Sequence, residues 1–180
     1  MSCQRTTPIR YNNLMNWMPR HKRLDWPELL AMRHDARTED RIVVWTNGTF
    51  DLLHPGHLQS LQQARALGDI LVVGLNTDRS VKAYKGPKRP ILNENERAAI
   101  VAGLECVDYV ILFDEDTPEA ALARLKPDIH CKGAEYAPPH GKPVPEREVV
   151  ERYGGRIEYL PLVAGVSTTD IVSRIADTLR

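Results

Sequence analysis

Short apolar runs alternate along the chain with longer stretches whose apolar residues recur at helical spacing. Five runs predict buried strands: "RIVVWTN" (41–47), "ILVVGLNT" (70–77), "VDYVILF" (107–113), "DIHCKG" (128–133) and "RIEYLPL" (156–162). The second is rich in β-branched residues and apolar on both faces, the pattern of a strand covered on either side. Helices are predicted over 25–37, 55–67, 93–104, 117–126, 144–155 and 167–180. Asp25 and Thr117 stand where caps belong, Pro27 and Pro118 suit first turns, and Gly68 follows the second helix. Residues 78–92 read as a basic loop. Strands alternating with helices give an α/β chain: a Rossmann-like, doubly wound, mainly parallel five-stranded sheet with helices on both faces.

Residues 1–22 show no clear period and are expected to form a loosely ordered extension, with Trp17 available to pin it to the body or to a second subunit. Residues 23–180 are expected to form one domain, a length sufficient for a full core. Lys+Arg and Asp+Glu are equal at 24 each, so charge points to neither a nucleic-acid nor a membrane partner. The three cysteines, Cys3, Cys106 and Cys131, lack metal or disulfide spacing. With no apolar run of membrane length and no secretory h-region, the expectation is a cytoplasmic protein.

In a doubly wound sheet, ligands collect at the carboxyl ends of the strands. There the chain places His54 and His57, then Asp78, Lys82 and Lys85, then Lys132, then Ser167, Thr168 and Thr169. Neither G-x-G-x-x-G nor G-x-x-x-x-G-K-[ST] follows the first strand, which argues against dinucleotide redox and P-loop chemistry. Instead "TNGTFDLLHPGH" (46–57) sets Gly48 and Gly56 around a loop, with a helix starting near Pro55. A helix N-terminus offers unpaired N–H groups and partial positive charge to a phosphate. His54 lies at its mouth and His57 about a turn further on. Two imidazoles there can donate to oxygens that gain charge as a phosphorus centre is attacked.

Those twelve residues match the H-x-G-H signature of the cytidylyltransferase-like nucleotidyltransferases, and "GVSTTDIV" (165–172) resembles their C-terminal helix-start motif. More narrowly, "YKGPKRP" (84–90), "EDTPE" (115–119), "PDIHCKG" (127–133) and "GVSTT" (165–169) are similar, in order, to blocks of the D-glycero-β-D-manno-heptose 1-phosphate adenylyltransferases. The resemblance spans 24–180. It implies transfer of AMP from ATP to a heptose 1-phosphate, giving ADP-heptose and pyrophosphate, with Mg²⁺ carried on the phosphates and no side-chain metal site.

By matching position, the resemblance makes His54, His57 and Lys85 catalytic. It assigns Thr49, Phe50, Gly56, Asp78, Arg97, Gly165, Ser167, Thr168 and Thr169 to the nucleotide, and Lys85 and Lys132 to the substrate phosphate. Asp51 is expected to order the loop, while Lys82 and Lys88 read as solvated surface. A strand-end lysine beside apolar residues, such as Lys132, needs a partner. His130, Cys106 and Cys131 read as packing residues; His21, His34 and His140 as solvent-exposed. Two departures stand out: Thr49 replaces a frequent cysteine, and Ala134-Glu135-Tyr136 stands where relatives tend to show Gly-Asp-Tyr.

The resemblance also suggests a homodimer. Many such domains follow a sugar kinase in one chain; about 40 residues precede the first strand here, too few for a kinase of typical size. A separate kinase and phosphatase are therefore expected to supply the sugar phosphate. Two alternatives remain at this level. One is a CTP-dependent cytidylyltransferase acting on glycerol 3-phosphate or a related alcohol phosphate; the other is a nucleotide-binding module without turnover. A class I tRNA synthetase core shares the H-x-G-H chemistry, but no K-M-S-K-S loop is evident.

Overall fold

In the computed structural model, which describes residues 20–163 and 165–179, each apolar run becomes a strand. The elements are α1 (Trp26–Thr38), β1 (Val43–Gly48), α2 (Pro55–Arg65), β2 (Ile70–Asn76), α3 (Asp78–Lys85), α4 (Glu94–Ala102) and β3 (Tyr109–Phe113). After them come α5 (Glu119–Leu125), β4 (Ile129–Gly133), α6 (Arg147–Arg152), β5 (Arg156–Leu160) and α7 (Thr168–Thr178). The five strands form one parallel sheet in the order β3-β2-β1-β4-β5.

Alternation along β1 explains the two layers. Val43 and Trp45 face a core with Leu29 of α1, Leu122 of α5 and Val150 of α6. Val44 turns the other way, onto Leu61 of α2 and Val101 of α4. All seven residues of β2 are buried, as a strand covered on both faces requires. Gly74 on β2 has no substitute: a Cβ there would lie 2.2 Å from the indole of Trp45, which packs across it. Below the sheet, Arg33 grips Asp128 through two N–H···O bonds (2.7 and 3.0 Å), and Asp128 also accepts from the Val43 N–H.

Caps set the helix starts. Asp25 with Glu28, and Asn93 with Glu96, form reciprocal capping boxes on α1 and α4. The expected basic loop after β2 is instead helical at its start. Thr77 accepts from the Ser80 N–H and launches α3, whose buried Val81 and Ser80 face inward. Its lysines hid a short amphipathic helix. Thr117 does not cap α5, which begins at Glu119 after Pro118; the Thr117 hydroxyl donates to Glu119 instead. Helix α2 ends at Arg65, ahead of Gly68. The helix expected over 144–155 shortens to α6.

Trp17 and the rest of 1–19 lie outside the described residues. Residues 20–22 form a 3-10 turn, and Lys22 donates to the carbonyls of Leu104 and Val107. Among the described residues no helix is long and apolar enough to cross a membrane.

The chain runs outward from β1 through β2 to β3, then returns to place β4 on the other side of β1. The crevice above β1 and β4 is the point where the winding reverses, the place for a ligand in such sheets.

Candidate active site

The loop after β1 is shaped from beneath. Phe50 and Leu52 have positive φ (48° and 49°), and Asp51 is 1 % exposed. Its carboxylate accepts from the backbone N–H groups of Ile91 and Leu92 and pairs with Arg89 at 2.9 Å. Asp51 thus ties the loop to segment 89–92 and is spent as a structural acceptor.

His54 is the N-cap residue of α2, but its ring makes no capping bond. The ring stacks on His57 with centroids 3.8 Å apart, and His57 in turn leans on Phe50 at 5.4 Å. Gly56 makes room for this, since a Cβ there would sit 3.0 Å from the His54 ring. Nδ1 of each histidine is buried without a hydrogen-bond partner. Burial holds His54 below the ordinary imidazole range. His57 falls to about 4, chiefly through burial, then through nearby His54 and Lys85, with Asp51 opposing. Both shifts favour the neutral imidazole, which can offer one N–H donor without carrying a charge.

Helix α3, absent from the sequence reading, delivers Lys85 at its last turn. The Tyr84 hydroxyl bonds Thr49 Oγ1, fastening α3 to the β1 loop. Surrounding protein lowers the Lys85 pKa, chiefly by desolvation, with the charge of Arg89 adding to it. Among the described residues Lys85 has no carboxylate within ion-pair distance.

Two adjoining cavities meet here. One, of about 300 Å³, is lined by Gly48, Phe50, His54, Gly56, His57 and Thr168. The other, of about 560 Å³, is lined by Asn76, Phe113, Lys132, Tyr136 and Glu146. Asn47, Gly48, Thr49, Lys85 and Glu135 border both. A further depression joins His54 and His57 to Ser167, Thr168 and Thr169 at the start of α7. Of these, Ser167 caps α7 through the Asp170 N–H, and the Thr168 hydroxyl donates to the Asp51 carbonyl at 2.9 Å. Thr169 is exposed, and Gly165 turns the chain with φ 73°.

Two expected nucleotide ligands, Arg97 and Asp78, line none of these three cavities. Arg97 is 0 % exposed, with its guanidinium committed to the carbonyls of Thr49, Leu92 and Asn76 and to the Asp78 carboxylate. The enclosed guanidinium braces the loop from behind, and Asp78 is its counter-ion. Lys132 remains at the wall of the larger cavity with Glu146 as its partner, at 2.7 Å. Tyr84 and Arg89 fall inside the block 84–90 with no role expected of them, and Glu146 falls outside every block. Glu146 was detectable only as an acid inside the apolar stretch V-P-E-x-x-V-V.

A parallel sheet opening at its switch point onto a histidine pair and two helix starts is a layout that can hold the phosphates of a nucleotide. The chain belongs to the cytidylyltransferase-like family, whose family model matches residues 45–174. It is 48 % identical over 179 residues to the bifunctional protein HldE of Syntrophotalea carbinolica, covering 96 % of this chain and 36 % of that protein. To HldE of Citrifermentans bemidjiense it is 57 % identical over 133 residues, 74 % of this chain and 27 % of the relative. The chain thus spans about a third of the length of these curated relatives. A lipopolysaccharide core biosynthesis protein from Thermoplasma volcanium superposes with TM-score 0.55 at 30 % identity, over 68 % of this chain and 97 % of that one. Pantoate-beta-alanine ligase from Francisella tularensis shares the fold, with TM-score 0.53 at 14 % identity over 87 % of this chain and 77 % of that one.

Proposed function

We propose that the protein transfers AMP from ATP to a heptose 1-phosphate, releasing pyrophosphate. One observation supports this above the rest: two adjoining cavities share a border at Lys85, which has no carboxylate at ion-pair distance among the described residues. The smaller, with its histidine pair and helix start, suits a triphosphate. The larger carries Lys132 but also Glu146 and Asp116 on its walls, a poor host for a polyphosphate. It suits a hydroxyl-rich molecule with a single phosphate directed at Lys85. The choice of heptose follows the motif blocks at 84–90, 115–119 and 127–133 and the similarity to the HldE proteins.

In this reading an oxygen of the acceptor phosphate attacks the α-phosphorus of ATP. The new O–P bond forms as the bond to the β-phosphate oxygen breaks, and pyrophosphate leaves with that electron pair. The nucleophile is already ionised, so no general base is required. His54 and His57 donate to the oxygens that gain charge, and Lys85 draws the two anions together and in line. Mg²⁺ would be carried on the phosphate oxygens of ATP, where it would neutralise charge.

The test is pyrophosphate release from four nucleoside triphosphates against a panel of sugar and polyol phosphates. ATP with heptose 1-phosphate should be fastest. Faster release from CTP with glycerol 3-phosphate would replace this reading with that of an alcohol-phosphate cytidylyltransferase.

A further inference from the structure

Glu146 lies outside every motif considered so far. It occupies the N-cap position of α6 and is 1 % exposed, although carboxylates are rarely so buried unless paired. A single oxygen, Oε1, accepts from Lys132 Nζ at 2.7 Å and from His130 Nε2 at 3.1 Å. His130 and Lys132 are two apart on β4 and so project to one face. Burial opposes ionisation of Glu146, yet the bonds from His130, Lys132 and its own backbone N–H hold its pKa at about 2. It is a carboxylate in any working buffer. His130 is fully buried, and burial outweighs Glu146 in keeping it neutral. A neutral ring facing a carboxylate must carry its proton on Nε2.

The two ends of this ion pair differ in freedom. Glu146 is enclosed and backed by a buried ring. Lys132 sits on a flexible stem, its side chain 15 % exposed at the wall of the larger cavity. Its Nζ lies 4.3 Å from the centroid of the Tyr136 ring. An ammonium has three N–H donors, and one contact with Glu146 leaves capacity for a ligand. The pair is neutral overall, so Lys132 offers direction, whereas Lys85 offers net charge. A lysine without such a pin would have to be ordered at every binding event.

We propose that Glu146 is a positioning residue: it pins Lys132 on the wall of the larger cavity, so that the ammonium meets the phosphate of the acceptor there. The inference rests on reading that cavity as the acceptor site.

The test is a double-mutant cycle on the full chain, with ATP and heptose 1-phosphate as substrates. Glu146→Ala should raise the acceptor KM about tenfold, the scale of freeing one long side chain, and leave the KM for ATP within about twofold. Glu146→Gln, which keeps the volume and an accepting oxygen, should fall between wild type and alanine. Lys132→Met should raise the acceptor KM comparably. In that background Glu146→Gln should then change it less than twofold, about the limit of non-additivity worth reading. Thermal denaturation of each variant identifies any that fail to fold, and the Gln arm carries the cycle if the Ala variant does. Equal increases in both KM values, or a full second increment on top of Lys132→Met, would assign Glu146 to structure alone and overturn the proposal. Absence of turnover by the wild-type protein would overturn the functional reading and this inference with it; turnover with the wrong cycle would overturn only the assignment to Glu146.

Discussion

At the scale of single residues, the histidine pair is defined by what does not touch it. Both Nδ1 atoms are buried and unpartnered, a cost of roughly 1–3 kcal/mol apiece. His54→Ala and His57→Ala should each lower kcat by about 10²-fold or more, the usual effect of removing a preorganised donor. Circular dichroism should be unchanged; equal turnover at matched folding would reduce the pair to packing. Stability carries a second signature. The folded pKa of His57 lies near 4, below the ordinary imidazole value, so the unfolded chain binds its proton first as pH falls. The protein should lose stability on acidification from about 6.5 to about 4, and His57→Gln should lose less over that window. Identical melting profiles for the two would show that the ring is not held neutral by the fold.

At the scale of elements, patterning served where burial is two-sided and failed where charge conceals a face. The strands were legible because β1 and β2 are almost unbroken β-branched and apolar runs. Their C-terminal ends located the site for the same reason. Helix α3 was not legible: of its eight residues only Ser80 and Val81 are buried, and two lysines and an arginine dominate the segment. Arg97 shows the complementary case, a burial that patterning does not reveal. A helix arginine in a nucleotide-binding motif looks like a ligand in sequence, yet the turn that starts α4 aims it inward. There it joins α4 to Thr49 on the loop and to the end of β2. Breaking a buried charge network typically costs about 3–5 kcal/mol. Arg97→Met should therefore lower the denaturation midpoint by a corresponding amount, and ATP affinity should fall only as far as folding does. A normally stable variant with ATP binding abolished would return Arg97 to the nucleotide.

At the scale of the whole molecule, the site is assembled from pieces far apart in sequence that only the switch point brings together. Loop 49–54, Lys85 at the end of α3, the β4 end and the start of α7 all converge there. Their packing is uneven. Every residue of β2 is buried, but α7 has no buried residue, and its Thr168 hydroxyl reaches across to the Asp51 carbonyl. The helix is amphipathic, with Ile171 and Val172 half-buried and Ile175 52 % exposed. Such an element belongs to the low-stability end of a fold, where local opening costs little. A triphosphate against His54, His57 and Ser167–Thr169 would bind the closed form of α7 and not the open one, and linkage would then favour closure. At a hundredfold excess over Kd, that stabilisation is about 2.7 kcal/mol. Hydrogen exchange with a non-hydrolysable ATP analogue should slow at 168–178 and at 49–57, while the amides of β2 exchange as before. Thr168→Val, which removes the bond to Asp51, should speed exchange in α7 without ligand and narrow the slowing that the analogue produces. If α7 exchanged at the same rate with and without the analogue, the last helix would be a bystander, and nucleotide binding would rest on the β1 loop and α2 alone.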